Sequence, residues 1–120
     1  MKEDFLHYLW KFQKFSTVNL FTTDIKPIKV LQVGHHNQDA GPDFLLAHVE
    51  IDGQLWVGNI EIHIKSSDWY AHQHEKDSNY DNVILHLVWE HDVAIFRNDN
   101  SVLPTLEVKD IVEQRTLLQY

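Results

Sequence analysis

The stretch FLLAHVEIDGQLWVGNIEIHIK, residues 44–65, decides the fold of this chain. Asp52-Gly53 lies between two runs rich in apolar residues, and this dipeptide is a strong signal for a two-residue hairpin turn. From Ile60 to Lys65 apolar and polar residues alternate, which is the pattern of a strand with one buried face. The sequence therefore predicts two antiparallel strands, over 44–51 and 54–65.

Apolar periodicity and turn residues predict the elements outside the hairpin. In chain order these are a helix over 3–15, a strand over 28–33, a short helix within the polar segment 66–82, a buried strand over 83–89, a strand over 105–108 and a helix over 111–120. A chain of 120 residues supports one domain. We therefore predict a single α/β (α+β) domain, residues 1–120, with a mixed central sheet.

The composition excludes several kinds of site and of location. Without cysteine there are no disulfides, thiolate zinc sites or cysteine nucleophiles, so any metal must be held by oxygen and imidazole. No apolar run is long enough to span a bilayer, and Met1-Lys2-Glu3-Asp4-Phe5 carries acids where a signal peptide would be basic. We expect a cytoplasmic protein with no membrane association. The segment 111–120 ends without a helix cap, so we also expect a C-terminal remainder from a longer protein.

The charge balance argues against broad contact with nucleic acid by this segment alone. Ten Lys and Arg stand against eighteen Asp and Glu, giving a net charge of -8, whereas binding to a phosphate backbone needs clustered cations. Nine histidines are many for this length. Together with the carboxylates they suggest metal binding or sensitivity to pH near the imidazole pKa.

The main candidate for chemistry is the polar face of the second hairpin strand. Glu61, His63 and Lys65 form a row on this face, and Asp43 stands at the entry to the first strand. Two carboxylates, Asp43 and Glu61, can hold Mg²⁺ or Mn²⁺, and a nearby imidazole shifts the preference toward Mn²⁺ or Zn²⁺. With an ordinary pKa of about 6.5, His63 can take a proton from bound water, and Lys65 can neutralise charge on a phosphate. The pattern predicts a metal site for phosphoryl chemistry.

The register of the hairpin tests this interpretation. With a regular two-residue turn, Asp43 falls opposite Ile62, and its side chain points away from Glu61. A three-residue loop with Gly53 in a bulge, or a bulge at Gly58, shifts the pairing by one residue and brings the two carboxylates together. Because a glycine is out of place inside a strand, we predict such an irregularity.

The element order and two short motifs resemble the PD-(D/E)XK (restriction-endonuclease-like) nuclease superfamily. The core of that superfamily runs α-β-β-β-α-β, with an Asp opening the second strand and an acid-x-Lys motif on the third. PD at 42–43 and EIH at 61–63 match these motifs, except that His63 stands where the superfamily usually carries lysine. The resemblance implies metal-dependent phosphodiester hydrolysis on nucleic acid, which is the function that we expect.

The same resemblance assigns roles to individual acids. It implies that Asp43 and Glu61 are ligands of Mg²⁺ or Mn²⁺, and that an acid of the first helix, Glu3 or Asp4, assists them. Lys65, on the same strand face as Glu61, is then the nearest substitute for the usual lysine.

Over nearly its whole length the chain also resembles the N-terminal part of a bacterial domain-of-unknown-function family, DUF2851. The matching segments are DAGPDF at 39–44, GNIEIH at 58–63 and YDNVILH at 80–86. Members of that family are longer than this chain, which agrees with the expected C-terminal remainder. This second resemblance implies no activity.

Three other interpretations stay open. The acid at the strand entry can simply bind local amides, and the polar row can be a solvated strand face. A catalytically inactive nuclease fold can serve as a binding or assembly module. His72 and His74, with Asp77 and a fourth ligand from Glu61 or His63, can form a structural zinc site.

Overall fold

The structure is a computed structural model that describes residues 1–119. Its elements are α1 (Glu3–Phe12), β1 (Ile28–Gln32), β2 (His35–His36), β3 (Phe44–Ile51), β4 (Gln54–Lys65), α2 (Asp68–Ala71), two 3₁₀ turns (His74–Lys76 and Ser78–Tyr80), β5 (Val83–Glu90), β6 (Thr105–Glu107) and α3 (Gln114–Gln119). The helix predicted over 111–120 begins later, at Gln114, and Tyr120 lies outside the described residues. Across residues 1–119, no helix combines the length and the apolar character needed to cross a membrane.

Six strands form one mixed sheet. Along its main path the order is β1-β3-β4-β5-β6, and the short β2 pairs with the start of β3. β3 runs antiparallel to β1 and β4, whereas β4, β5 and β6 run parallel to one another. Parallel neighbours need a crossover connection, and residues 66–82, which contain α2, supply it between β4 and β5. The predicted fold class, α+β with a mixed sheet, is confirmed.

Helix α1 packs on the sheet and closes the main core. Leu6, Leu9 and Trp10 are fully buried in the same apolar cluster as Ile60 and Ile62 of β4. The helix ends at Phe12, earlier than predicted, because Gln13 adopts a left-handed conformation with φ 51°. The apolar alternation in β4 therefore faces this core, as the sequence predicts.

The crossover covers the other face of β4, where the polar side chains of that strand lie. Trp69 of α2 is buried there in a second, smaller apolar cluster with Val83, Ile95 and Leu103. The predicted polar row is consequently split: Glu61 and His63 are buried beneath the crossover, whereas Lys65 is exposed at the end of the strand. A solvated strand face is thus the wrong description for its buried part.

The β3–β4 hairpin begins with a regular two-residue turn. Asp52 and Gly53 both have positive φ, 53° and 81°, as a type I′ turn requires. Pairing is regular from Ile51 with Gln54 up to Ala47 with Gly58. A three-residue loop at Gly53 is therefore wrong, and the register on this side is the one that separates Asp43 from Glu61.

The register shifts by one residue just beyond Gly58. Phe44 pairs with Ile60, so Leu45 and Leu46 together stand opposite Asn59 in a β-bulge on β3. Leu46 carries the positive φ, 58°, and its amide donates to the Asn59 side-chain oxygen at 3.2 Å. The predicted irregularity is present, but it lies on β3 and not in the turn or on β4. Sequence reasoning placed it at a glycine, whereas a leucine takes the left-handed conformation.

Gly58 does not form the predicted bulge on β4 but allows close packing against β5. The β4–β5 register also shifts at Asn59, which leaves Ile84 of β5 directed at Gly58. A Cβ on Gly58 would lie 2.5 Å from Ile84 Cγ2 and 2.6 Å from the Asn82 carbonyl oxygen. The glycine therefore permits the close approach of β5, next to the bulge on β3.

Candidate functional site

The bulge on β3 brings Asp43 and Glu61 together. Because Phe44 pairs with Ile60, Asp43 lies beside Glu61 instead of opposite Ile62. Asp43 Oδ2 accepts the Ile62 amide at 2.8 Å, which fixes the carboxylate on the β4 backbone. The Asp43 and Glu61 carboxyl groups are in hydrogen-bonding contact. The two acids that the sequence assigned to a metal site are thus neighbours.

The carboxyl pair holds one proton at neutral pH. Burial, followed by the charge of Asp43, raises the pKa of Glu61 to about 10. Burial also opposes ionisation of Asp43, but interactions with His7 and Glu61 outweigh it and hold the pKa of Asp43 below its usual value. Protonated Glu61 therefore donates to ionised Asp43. An ionised Glu61 would leave Oε1 without a donor among residues 1–119, so this position needs a proton or a cation.

Three imidazoles, His63, His72 and His74, gather around Glu61 and are called the His cluster below. His63 Nε2 lies 3.4 Å from Glu61 Oε2 and 3.2 Å from His72 Nδ1. His74 Nε2 lies 2.8 Å from the same Glu61 oxygen. One ring nitrogen of each histidine lies within 4.8 Å of the other two. Because His72 is exposed while His63 and His74 are buried, the cluster reaches solvent at one side.

His63 is held by a further histidine on β5. His63 Nδ1 and His86 Nε2 share a hydrogen bond of 2.7 Å, and His86 is completely buried. Burial, followed by the nearby His74 and His72, lowers the pKa of His63 to about 4. The expected ordinary pKa of about 6.5 is therefore wrong. At neutral pH His63 is a neutral imidazole, able to bind a metal but too weak a base to take a proton from water.

Helix α1 adds two ionisable groups beside the carboxyl pair. His7 Nε2 lies 3.5 Å from Asp43 Oδ1, and this interaction outweighs burial and raises the pKa of His7. Burial, followed by the charge of Asp43, raises the pKa of Glu3, and the nearby His72 opposes this shift. Of the two helix acids that the resemblance suggested, Glu3 lies near the site, whereas Asp4 is exposed.

Two residues suggested by the sequence lie outside the buried site. Lys65 is exposed, and its main-chain amide donates to Asp68 Oδ2 at 3.1 Å. Asp77, suggested as a zinc ligand, instead accepts the Asn79 amide at 2.9 Å and begins a 3₁₀ turn. Neither side chain is part of the His cluster.

Sequence reasoning missed His7 and the role of His86. Glu3 and His7 are four residues apart on one helix, so both face the same direction, and this spacing was an available signal. His86 is a hydrogen-bonded core histidine on β5. Its hydrogen bond to His63 could not be predicted, because it depends on the β4–β5 register, in which Glu61 pairs with His86.

Comparison with known protein families identifies the family of this chain. The model of one family, described as "Protein of unknown function (DUF2851)", matches residues 3–120. The chain belongs to this family. The match spans the sheet, the crossover and every residue of the site, and it confirms the DUF2851 resemblance seen in the sequence. No curated protein and no solved structure matches the chain, so the functional argument for this DUF2851 domain depends on the geometry of its site.

Proposed function

We propose that this DUF2851 domain hydrolyses phosphodiester bonds in nucleic acid with a divalent metal ion. The observation that carries the proposal is the bulge at Leu45–Leu46, because it places Asp43 beside Glu61. Bulges that redirect a side chain occur often next to active sites. With the two-residue β2 set aside, the order α1, β1, β3, β4, α2, β5 supports the same proposal, since it follows the α-β-β-β-α-β core of the nucleases that the sequence resembles.

The donor set fits a cation softer than Mg²⁺. Asp43 and Glu61 offer two carboxylates, and a cation at Glu61 would replace the proton that this buried group otherwise needs. Imidazoles beside the pair favour Mn²⁺ or Zn²⁺, whereas Mg²⁺ prefers an octahedral shell of oxygen atoms. When bound, such an ion polarises a phosphoryl oxygen and lowers the pKa of a coordinated water. We therefore name Asp43 and Glu61 as the ligands and Mn²⁺ as the first ion to test.

His7 is better suited to proton transfer than His63. Its interaction with Asp43 raises the pKa of His7, which favours the protonated ring, and about a fifth of its side chain is exposed (22%). A cationic imidazole beside Asp43 can donate a proton to the leaving oxygen of a phosphodiester. It also supplies positive charge near the carboxyl pair, which the exposed Lys65 does not. In this proposal His7 is the general acid.

The direct test is cleavage of single-stranded and double-stranded DNA and RNA oligonucleotides with Mn²⁺, Mg²⁺ or Zn²⁺. The wild type should cleave one of these substrates, and Asp43→Asn and Glu61→Gln should each lower the rate by at least about 100-fold, as expected when a positioned charge is lost from a catalytic site. His35→Ala is the matched control, because His35 is exposed and lies outside the site. Cleavage that survives both site substitutions would contradict the proposal.

A catalytically inactive module that binds or assembles is the second candidate. Two observations favour it: the low pKa of His63, which occupies the lysine position, and the exposure of Lys65. The net charge of -8 also opposes contact with a phosphate backbone. Absence of cleavage with every metal and substrate, in a protein that binds Mn²⁺ through Asp43, would favour this candidate over the phosphodiesterase.

A further inference from the structure

The geometry points to a zinc site formed by Glu61, His63, His72 and His74. Its donor atoms are Glu61 Oε2, His63 Nε2, His72 Nδ1 and His74 Nε2. The site shares Glu61 with the proposed phosphodiesterase centre, but it does not need Asp43 and does not rest on that activity. Its chemistry differs as well, because three of its four donors are imidazoles, which suit Zn²⁺.

The distances between the donor atoms match a tetrahedral ion. Zinc binds imidazole nitrogen at about 2.0–2.1 Å, so the edges of a tetrahedral site measure about 3.3 Å. The His63–Glu61 edge is 3.4 Å and the His63–His72 edge is 3.2 Å. The His74–Glu61 edge, 2.8 Å, is shorter. Two of the six edges are therefore near the tetrahedral value, a third is shorter by about half an ångström, and the three imidazole nitrogens all lie within 4.8 Å of one another.

The His74–Glu61 contact is close, but it leaves His74 Nε2 without a well-formed hydrogen bond. His74 Nε2 has no hydrogen-bond partner among the described residues, although Glu61 Oε2 is so close to it. Both side chains are more than nine-tenths buried, with 8% of His74 and 4% of Glu61 exposed. Buried polar atoms without partners are costly in free energy. A zinc ion bound by His74 Nε2 and Glu61 Oε2 would give this nitrogen the partner that it lacks.

Neighbouring side chains hold the ligands in place. His86 binds the ring nitrogen of His63 that faces away from the proposed ion, which is how metal-binding histidines are usually oriented. The His74 ring stacks on Tyr80 with centroids 3.7 Å apart, and Trp69 meets its edge at 5.2 Å. Two of the three imidazoles are therefore fixed before an ion arrives.

His72 distinguishes a closed site from an open one. It is the exposed member of the cluster and ends α2, whereas the other three donors are buried. With His72 bound, four protein ligands make a closed site that fastens the crossover to β4, as in structural zinc sites. His72 is therefore also the safest position for a test, since replacing an exposed side chain leaves the core unchanged.

The test is calorimetric titration of the metal-free protein with Zn²⁺, together with the visible absorption spectrum of the Co²⁺ form. The wild type should bind one Zn²⁺, and Co²⁺ should give the intense visible bands of a tetrahedral complex. His72→Ala should weaken Zn²⁺ binding by at least about 100-fold, because loss of a direct ligand costs no less than loss of a supporting residue. His35→Ala, which removes an exposed histidine elsewhere, should bind like the wild type.

A second variant separates this site from the proposed function. Asp43→Asn removes a ligand of the phosphodiesterase centre and leaves all four zinc donors, so it should keep its Zn²⁺ affinity and lose cleavage. Zinc binding without cleavage in the wild type overturns the proposed function alone. Zinc affinity that is absent, or unchanged in His72→Ala, or an octahedral Co²⁺ spectrum, overturns the zinc site.

Discussion

The two ends of the β3–β4 hairpin differ in regularity and in burial. Near the turn, pairing is regular and the side chains of Leu55, Trp56 and Val57 are largely exposed. At the other end, the pairing of β4 with β3 and its pairing with β5 each shift near Asn59. The polar side chains of Glu61 and His63 are buried next to this position. The regular end fixes the pairing near the turn. At the interrupted end, the shift of one residue brings ionisable side chains next to one another.

A single side chain maintains the interruption on β3. The Leu46 amide has turned away from the strand ladder and instead donates to the Asn59 side chain. Asn59 thus satisfies a backbone group that the bulge would otherwise leave unpaired. The difference between the two ends is thus set at Gly58 and Asn59, and the following predictions test the interrupted end at Gly58, Glu61 and Leu46.

The largest effect is expected at Gly58. In Gly58→Ala the new methyl group would clash with Ile84 and with the Asn82 carbonyl, so β4 and β5 must separate. We expect the free energy of unfolding, measured by urea denaturation, to fall by about 3 kcal/mol, the upper part of the range for overpacked positions.

The turn end offers the matched control. Gly53→Asn adds a side chain where no heavy atom lies within 4 Å, and asparagine tolerates the positive φ of this position. Its effect should stay below about 1 kcal/mol. Equal losses at positions 58 and 53 would show that the close approach of β5 does not distinguish the two ends.

The next effect is a pH dependence that originates at Glu61. In the metal-free protein the folded state keeps a proton on Glu61 up to a pKa of about 10, whereas the unfolded chain loses it near 4.5. Folding therefore takes up a proton, and the free energy of unfolding falls as pH rises, by at most about 1.4 kcal/mol per pH unit. Glu61→Gln, which keeps a donor toward Asp43, should make this slope shallower, whereas His7, whose pKa is raised by Asp43, contributes a slope of the same sign that the variant keeps.

The measurement is urea denaturation between pH 7 and 9 with a chelator present. This window avoids His63, His74 and His86, whose lowered pKa values act in the opposite direction and reduce stability only as pH falls below about 6.5. It includes His7, whose raised pKa acts in the same direction as Glu61, so the comparison is between the slopes of wild type and Glu61→Gln. The lowered pKa of Asp43 acts only at still lower pH. Identical slopes for wild type and Glu61→Gln would contradict a shared proton in the carboxyl pair.

The smallest effect is expected at the bulge itself. Leu46 is 61% exposed and adopts a left-handed conformation that costs leucine about 1 kcal/mol. Leu46→Gly should therefore raise the free energy of unfolding by about that amount and leave Mn²⁺ affinity unchanged. Leu45→Gly, at the neighbouring position without a positive φ, should lower stability. A loss of stability in Leu46→Gly would indicate that this leucine packs against something that its exposure does not suggest.

The sequence predicted the regular end better than the interrupted one, for physical reasons. Asp52-Gly53 has a strong local preference, and the alternation of Ile60 and Ile62 reports burial directly. The bulge has no such signal, because leucine has no preference for positive φ. The glycine at position 58 instead led to a bulge being predicted on β4. Its position follows from the packing of three strands, which a local pattern does not contain.

The candidate site was predictable in its members more than in its arrangement. Asp43, Glu61 and His63 follow from motif spacing, and His72 with His74 were named as candidate zinc ligands in one of the open interpretations. Their meeting around one oxygen depends on how the crossover folds back over β4. Burial, which the sequence does not show, lowers the pKa of His63, so this ring is a weaker base than the sequence suggested.

The four donors of the proposed zinc site come from one short piece of chain, residues 61–74, whereas Asp43 lies just before β3 and His86 lies on β5. Closing a short loop costs little entropy, and contacts of low sequence separation form early. An ion can therefore gather Glu61 and the His cluster while β3 and β5 are still unpaired. If the proposed zinc site forms, such an ion would help the crossover fold onto β4 through contacts of low sequence separation.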